Sequence, residues 1–126
     1  MKSRNEKVDE KTAILLLKHG QYGLVCRNFD YFHIEDKSNF LKQTLKAGIR
    51  GKHSLHITKN LVTKNTEHYH TIVKTERRIE ESITGIIRQL ASTANKEEKE
   101  CLREIFMNQG RMSICSKHTI DEIFGE

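Results

Sequence analysis

Four of the chain's seven histidines, His53, His56, His68 and His70, fall within the eighteen residues HSLHITKNLVTKNTEHYH. Imidazole can donate, accept or carry a proton near neutral pH, so this density raises three chemistries. They are acid–base attack on a phosphodiester, ligation of a metal, and hydrogen bonding to phosphate. The segments HSLHIT and EHYHTIV alternate in polarity around the polar KNLVTKNT, which predicts an antiparallel β-hairpin over about 53–73. If His56 faces His68 and Ser54 faces His70, the two-residue repeat places His56, His68 and His70 on one face. Leu55, Ile57, Tyr69 and Val73 then share the other. A slip of one residue separates His56 from the other two. Unless the histidines converge, they are polar residues on the solvated side of a half-buried hairpin. If they do, His56, His68 and His70 are candidate catalytic residues of a histidine-dependent nuclease acting on RNA or single-stranded DNA. Arg50 or Lys52 would stabilise the pentacoordinate phosphate.

The tripeptide His68-Tyr69-His70 resembles the two-histidine motif of the HUH single-strand endonucleases, which hold a divalent cation and attack DNA with a tyrosine. That family's tyrosine lies downstream on a helix. Here Tyr22, Tyr31 and Tyr69 are the only tyrosines and none follows the motif, so the activity is not carried over. Arg111 and His118, with six residues between them, are similar to the Arg-x(4–6)-His pattern of the HEPN ribonucleases. That family sets the pattern in a long-helix bundle, whereas MSIC between them reads as a strand. No metal site and no cofactor are expected.

Charge points to a second surface. The formal net charge is +5, yet residues 1–75 hold 14 Lys/Arg against 7 Asp/Glu and residues 76–126 hold 8 against 10. A basic surface favours a polyanion through release of condensed counterions. The candidate nucleic-acid contacts are Lys42, Lys46, Arg50, Lys52, Lys59 and Lys64. Asn39, Gln43 and Thr44 are conceivable readers of base edges if their helix enters a groove.

The elements that must position these residues fit one domain of 126 residues. DEKTAILLLKHG predicts a helix capped by Asp9, with Gly20 at its end. YGLVCRNFDYFHI (22–34) is rich in aromatic and β-branched residues and reads as strand or hairpin. DKSNFLKQTLKAG carries an apolar stripe of Phe40, Leu41 and Leu45 and predicts a helix ending at Gly48. In TERRIEESITGIIRQLAS, Ile79, Ile83, Ile86, Ile87 and Leu90 recur at helical spacing. Gly85 within it suits a close approach by another backbone. Asn95 and Glu98 have the spacing of a capping box for the next helix, which stops before Gly110. A short strand and a final helical turn from Thr119 complete the chain.

The expected fold class is α+β: N-terminal helices, the hairpin, and a C-terminal amphipathic helical pair. The order of elements resembles the winged helix-turn-helix plan, which implies a recognition helix in the major groove and a wing on the backbone. The expected function is a small DNA-binding regulator or accessory factor, with DNA favoured over RNA. Its basic part is 1–75, and 76–126 serve packing, with a homodimer through 76–108 as an expected partner arrangement. An interaction or inhibitor module built on the amphipathic helix is a third class. The longest apolar run, AILLL, is far short of a membrane span. The charged N-terminus lacks the apolar core of a signal peptide. Three cysteines without a Cys-x-x-Cys pair suit a reducing compartment, so the expected location is the cytoplasm.

Overall fold

The computed structural model describes residues 8–110 and 117–125. In chain order the elements are strand β1 (Val8–Asp9), helix α1 (Glu10–Lys18), helix α2 (Tyr22–Arg27) and a 3-10 turn (Phe29–Tyr31). Strand β2 (Phe32–His33), helix α3 (Lys37–Leu61) and helix α4 (Glu67–Thr93) follow. Helix α5 (Lys96–Ile105), a π turn (Phe106–Gly110) and helix α6 (Lys117–Phe124) complete it. The strands among the described residues form one parallel pair, Val8 beside Phe32 and Asp9 beside His33. The molecule is a helical bundle. The α+β architecture with an antiparallel hairpin at 53–73 and the winged-helix plan are both overturned.

The reason lies in the hairpin region itself. Alternation over six or seven residues does not distinguish a strand from a helix whose apolar seam repeats at three and four. Read across its whole length, α3 places Leu41, Leu45, Gly48, Lys52, Leu55 and Lys59 at heptad spacing, and its C-cap residue Val62 continues the series. On α4, Tyr69, Ile72, Glu76, Ile79, Ile83, Ile86 and Leu90 do the same. The two helices, of 25 and 27 residues, each run roughly 40 Å. They pack antiparallel about a five-residue connector, 62–66. Gly48 does not end α3, because it is buried within the bundle and the helix continues past it. Thr66 caps α4, its hydroxyl accepting from the Tyr69 amide at 3.2 Å.

The segment 22–34 is likewise mostly helical, contributing α2, the 3-10 turn and only two strand residues. Other expectations hold. The Asp9 carboxylate accepts from the Thr12 amide at 3.0 Å, and Gly20 takes a left-handed conformation with φ +80°. Asn95 and Glu98 form the reciprocal capping box. The expected strand over MSIC, with Arg111 and Cys115, lies outside the described residues, whereas the final helix is present as α6.

The core joins all layers. Leu17, Val25, Phe40, Leu45, Ile83, Ile87, Leu102 and Ile120 are all buried. The apolar stripe of α4 is therefore satisfied inside one chain: Ile79, Ile83, Ile86, Ile87 and Leu90 are all buried there. At Gly85 the close neighbour is a side chain of α2, and a Cβ there would fall 2.6 Å from Cys26 Sγ. Burial falls away along the hairpin. From Ile49 to Arg78 no residue is fully buried, so the distal halves of α3 and α4 form a two-helix arm. No described helix is long and apolar enough to cross a membrane.

Candidate nucleic-acid interface

Asp36 starts α3 by accepting from the Asn39 amide at 3.0 Å. Glu10 of α1 fixes its entry angle by accepting from the Glu35 and Asp36 amides, both at 3.0 Å. The apolar face of α3 turns inward, and its opposite face presents Lys42, Lys46 and Arg50 at successive four-residue intervals, followed by His53. Successive i, i+4 residues share one helix face, and all four are exposed. Together with Gln43 and Ile49 they line a concavity of about 720 Å³. None of Lys42, Lys46 and Arg50 is ion-paired to a carboxylate among the described residues.

The remaining three basic candidates are elsewhere. Lys52 and Lys59 occupy seam positions and turn toward α4, where Lys52 pairs with Glu80. Lys59 pairs with Glu76 at 3.0 Å. Hydrogen bonding to Glu76 holds the Lys59 ammonium above its ordinary pKa, against the opposing effect of desolvation. Lys64 is exposed in the connector at the tip of the arm, roughly 20 Å along the helix direction from Arg50. Of the suggested base readers, Thr44 is buried and its hydroxyl donates to the Phe40 carbonyl at 2.7 Å. The Asn39 amide group reaches Glu10 at 3.5 Å, which leaves Gln43 on the basic face.

The histidines do not sit on a strand. His56 lies on α3, its Nε2 3.4 Å from the Asn60 side-chain nitrogen. His68 and His70 lie in the first turns of α4, where two residues are separated by about 200° around the axis. His70 instead makes an edge contact with the neighbouring Tyr69 ring, the centroids 6.0 Å apart. No group of three His, Cys, Asp or Glu placed to hold a metal occurs among the described residues. The pairing that would have joined His56, His68 and His70 on a sheet face is absent. His118 is on α6 beside Glu122, at 3.3 Å, while its sequence companion Arg111 lies outside the described residues.

The charge is more localised than a division at Thr75 suggests. Residues 42–78 carry nine Lys/Arg and two Asp/Glu, together with four of the seven histidines. Lys74 and Arg77, on the outer side of α4, and Arg78, on the flank it turns to α2, are all exposed. Sequence reading missed them because the cut placed the arginines in the acidic half. The heptad phase of α4 would have found them, since all three fall outside the seam positions 69, 72, 76 and 79.

Comparison of the chain with protein-family models, curated proteins and solved structures found no match.

Proposed function

We propose that the protein binds a polyanion, with DNA the expected partner, through the outer face of α3. One observation carries the reading: Lys42, Lys46 and Arg50 stand in one exposed row beside a concavity, without neutralising carboxylates among the described residues. Such a row suits successive phosphates, which supply most of the affinity in nucleic-acid binding and none of the direct sequence readout. Gln43, lining the same concavity, is the side chain of this face whose amide can both donate to and accept from a base edge. The exposed cations of the arm, Lys64, Lys74, Arg77 and Arg78, extend the positive field and raise the rate of encounter. Lys52 and Lys59 play no direct part, since each is engaged by a glutamate of α4.

The test is binding of the whole chain to duplex DNA, duplex RNA and heparin at low salt, read by fluorescence anisotropy. DNA binding that weakens steeply with salt, and weakens at least tenfold when Lys42, Lys46 and Arg50 are all replaced by glutamine, is expected. No binding at low salt, or an affinity indifferent to the triple replacement, overturns the proposal. Preference for RNA or heparin over DNA would retain the polyanion and replace the partner.

A further inference from the structure

Where the arm joins the body, α2, α3 and α4 border a second, solvent-open cavity of about 550 Å³ on a different face of α3. Its size is that of an ordinary small-ligand site, roughly 300–1,000 Å³. Arg27 from α2 and Arg78 from α4 both line it. These cations come from helices distant in sequence, and neither is ion-paired to a carboxylate among the described residues. Ser54, Thr75 and Ser82 add hydroxyls, Leu55 and Ile79 an apolar surface, and Glu81 one carboxylate.

The packing keeps this cavity open. Tyr22 donates its hydroxyl to the Ala47 carbonyl at 2.9 Å, which fixes the ring as a wall. Gly51 permits that arrangement, since a Cβ there would lie 2.4 Å from the Tyr22 oxygen. At Gly23 a Cβ would lie 2.9 Å from Arg27 Nη1, so the missing side chain leaves room for the guanidinium to lie back over α2.

We propose that this cavity binds a phosphomonoester of the size of a nucleoside monophosphate. Two guanidinium groups match the charge of a phosphate dianion, and their forked donors with three hydroxyls suit its three terminal oxygens better than the two of a carboxylate. Glu81 accepts from hydroxyls on the ligand body. Leu55 and Ile79 take its flat face, whose transfer from water adds affinity. The inference is independent of the α3 basic row, because Lys42, Lys46 and Arg50 do not line this cavity.

The probe is adenosine 5′-monophosphate, titrated calorimetrically into the whole chain, with adenosine and inorganic phosphate as comparators. Saturable binding is expected, at least tenfold tighter than either comparator, because each lacks one half of the recognised chemistry. Replacing Arg27 and Arg78 together by glutamine should weaken it by about a hundredfold, and by lysine less, since charge persists without the fork. Both arginines are exposed, so the variants should keep the parent's helical circular dichroism and melting temperature. The triple glutamine variant of Lys42, Lys46 and Arg50 should retain the parent affinity for the nucleotide while losing DNA. Absence of saturable binding overturns the proposal. So does adenosine binding as tightly as its phosphate, an unaltered affinity in the Arg27 and Arg78 glutamine variant, or loss of nucleotide binding in the triple variant.

Discussion

At the residue scale the start of α5 is the clearest case of sequence dictating structure. Asn95 Oδ1 accepts from the Glu98 amide at 2.8 Å and Glu98 Oε1 accepts from the Asn95 amide at 2.9 Å. Two amides that helix geometry leaves without partners are thereby satisfied. Asn95→Ala removes one of these bonds and should destabilise the fold by about 1 kcal/mol, read from chemical denaturation. The bond from the Asn95 backbone, with Lys37 nearby, holds the Glu98 carboxyl below its ordinary pKa against the effect of desolvation. A depressed folded-state value means the carboxylate contributes stability above its ordinary value of 4.5 and loses it as pH falls through the folded value. Glu98→Gln should therefore lower the melting temperature at neutral pH and flatten part of its fall on acidification. The check is thermal unfolding of both proteins across that range. This site was legible because both partners lie within one helical turn. Lys42 and Lys46 were legible for the same reason, one helical turn apart on an expected helix, whereas Arg50 joins their row only because α3 continues past Gly48. The neutralisation of Lys52 and Lys59 was not, because their partners lie 28 and 17 residues away, on a helix that the hairpin reading set apart from the segment carrying the two lysines.

At the element scale the decisive feature is the seam between α3 and α4, which changes character along its length. Near the body it is isoleucine and leucine; along the arm it holds Lys59 against Glu76, with side-chain exposures of 24% and 16%. Half-buried ions lose hydration, and their attraction offsets that loss only when the geometry is good. Replacing both by leucine should therefore raise the melting temperature, whereas replacing Lys59 alone should lower it by leaving Glu76 without its partner. Comparison of the melts of the single and double variants decides between these outcomes. The same seam explains where sequence reading failed. HSLHIT and EHYHTIV were judged as isolated windows too short to show a heptad, and the seam positions that flank them, Lys52, Lys59 and Glu76, are charged. Gly48 supplied an apparent stop. The heptad becomes visible only when Leu41 to Val62 are taken together, and only if charged residues are admitted to the seam. Gly51 marks the base of the arm. Gly51→Ala would push against the Tyr22 hydroxyl and should cost about 1–3 kcal/mol through overpacking and loss of the Tyr22–Ala47 bond, measured by denaturant titration.

At the scale of the whole molecule, the arrangement of charge matters more than its sum. The chain's net charge is +5, while residues 42–78 alone hold seven more cations than carboxylates. The remainder is thus slightly acidic and contributes no attraction of its own to a polyanion. A protein that bound phosphate through net charge would respond equally to loss of any three cations, whereas a row of phosphate contacts would not. Two triple variants separate these cases. Lys42→Gln, Lys46→Gln and Arg50→Gln strip the face of α3; Lys11→Gln, Lys96→Gln and Lys99→Gln remove the same charge from α1 and α5. For duplex DNA the logarithm of affinity falls with the logarithm of salt by about 0.9 per phosphate neutralised. The first variant should reduce that slope by about 2.7, one step for each of three contacts, and the second should leave it within error of the parent. Equal slopes in the two variants would mean that the field of the molecule as a whole, and not the α3 row, governs binding. The site would then have to be sought along the arm, at Lys74 and Arg77.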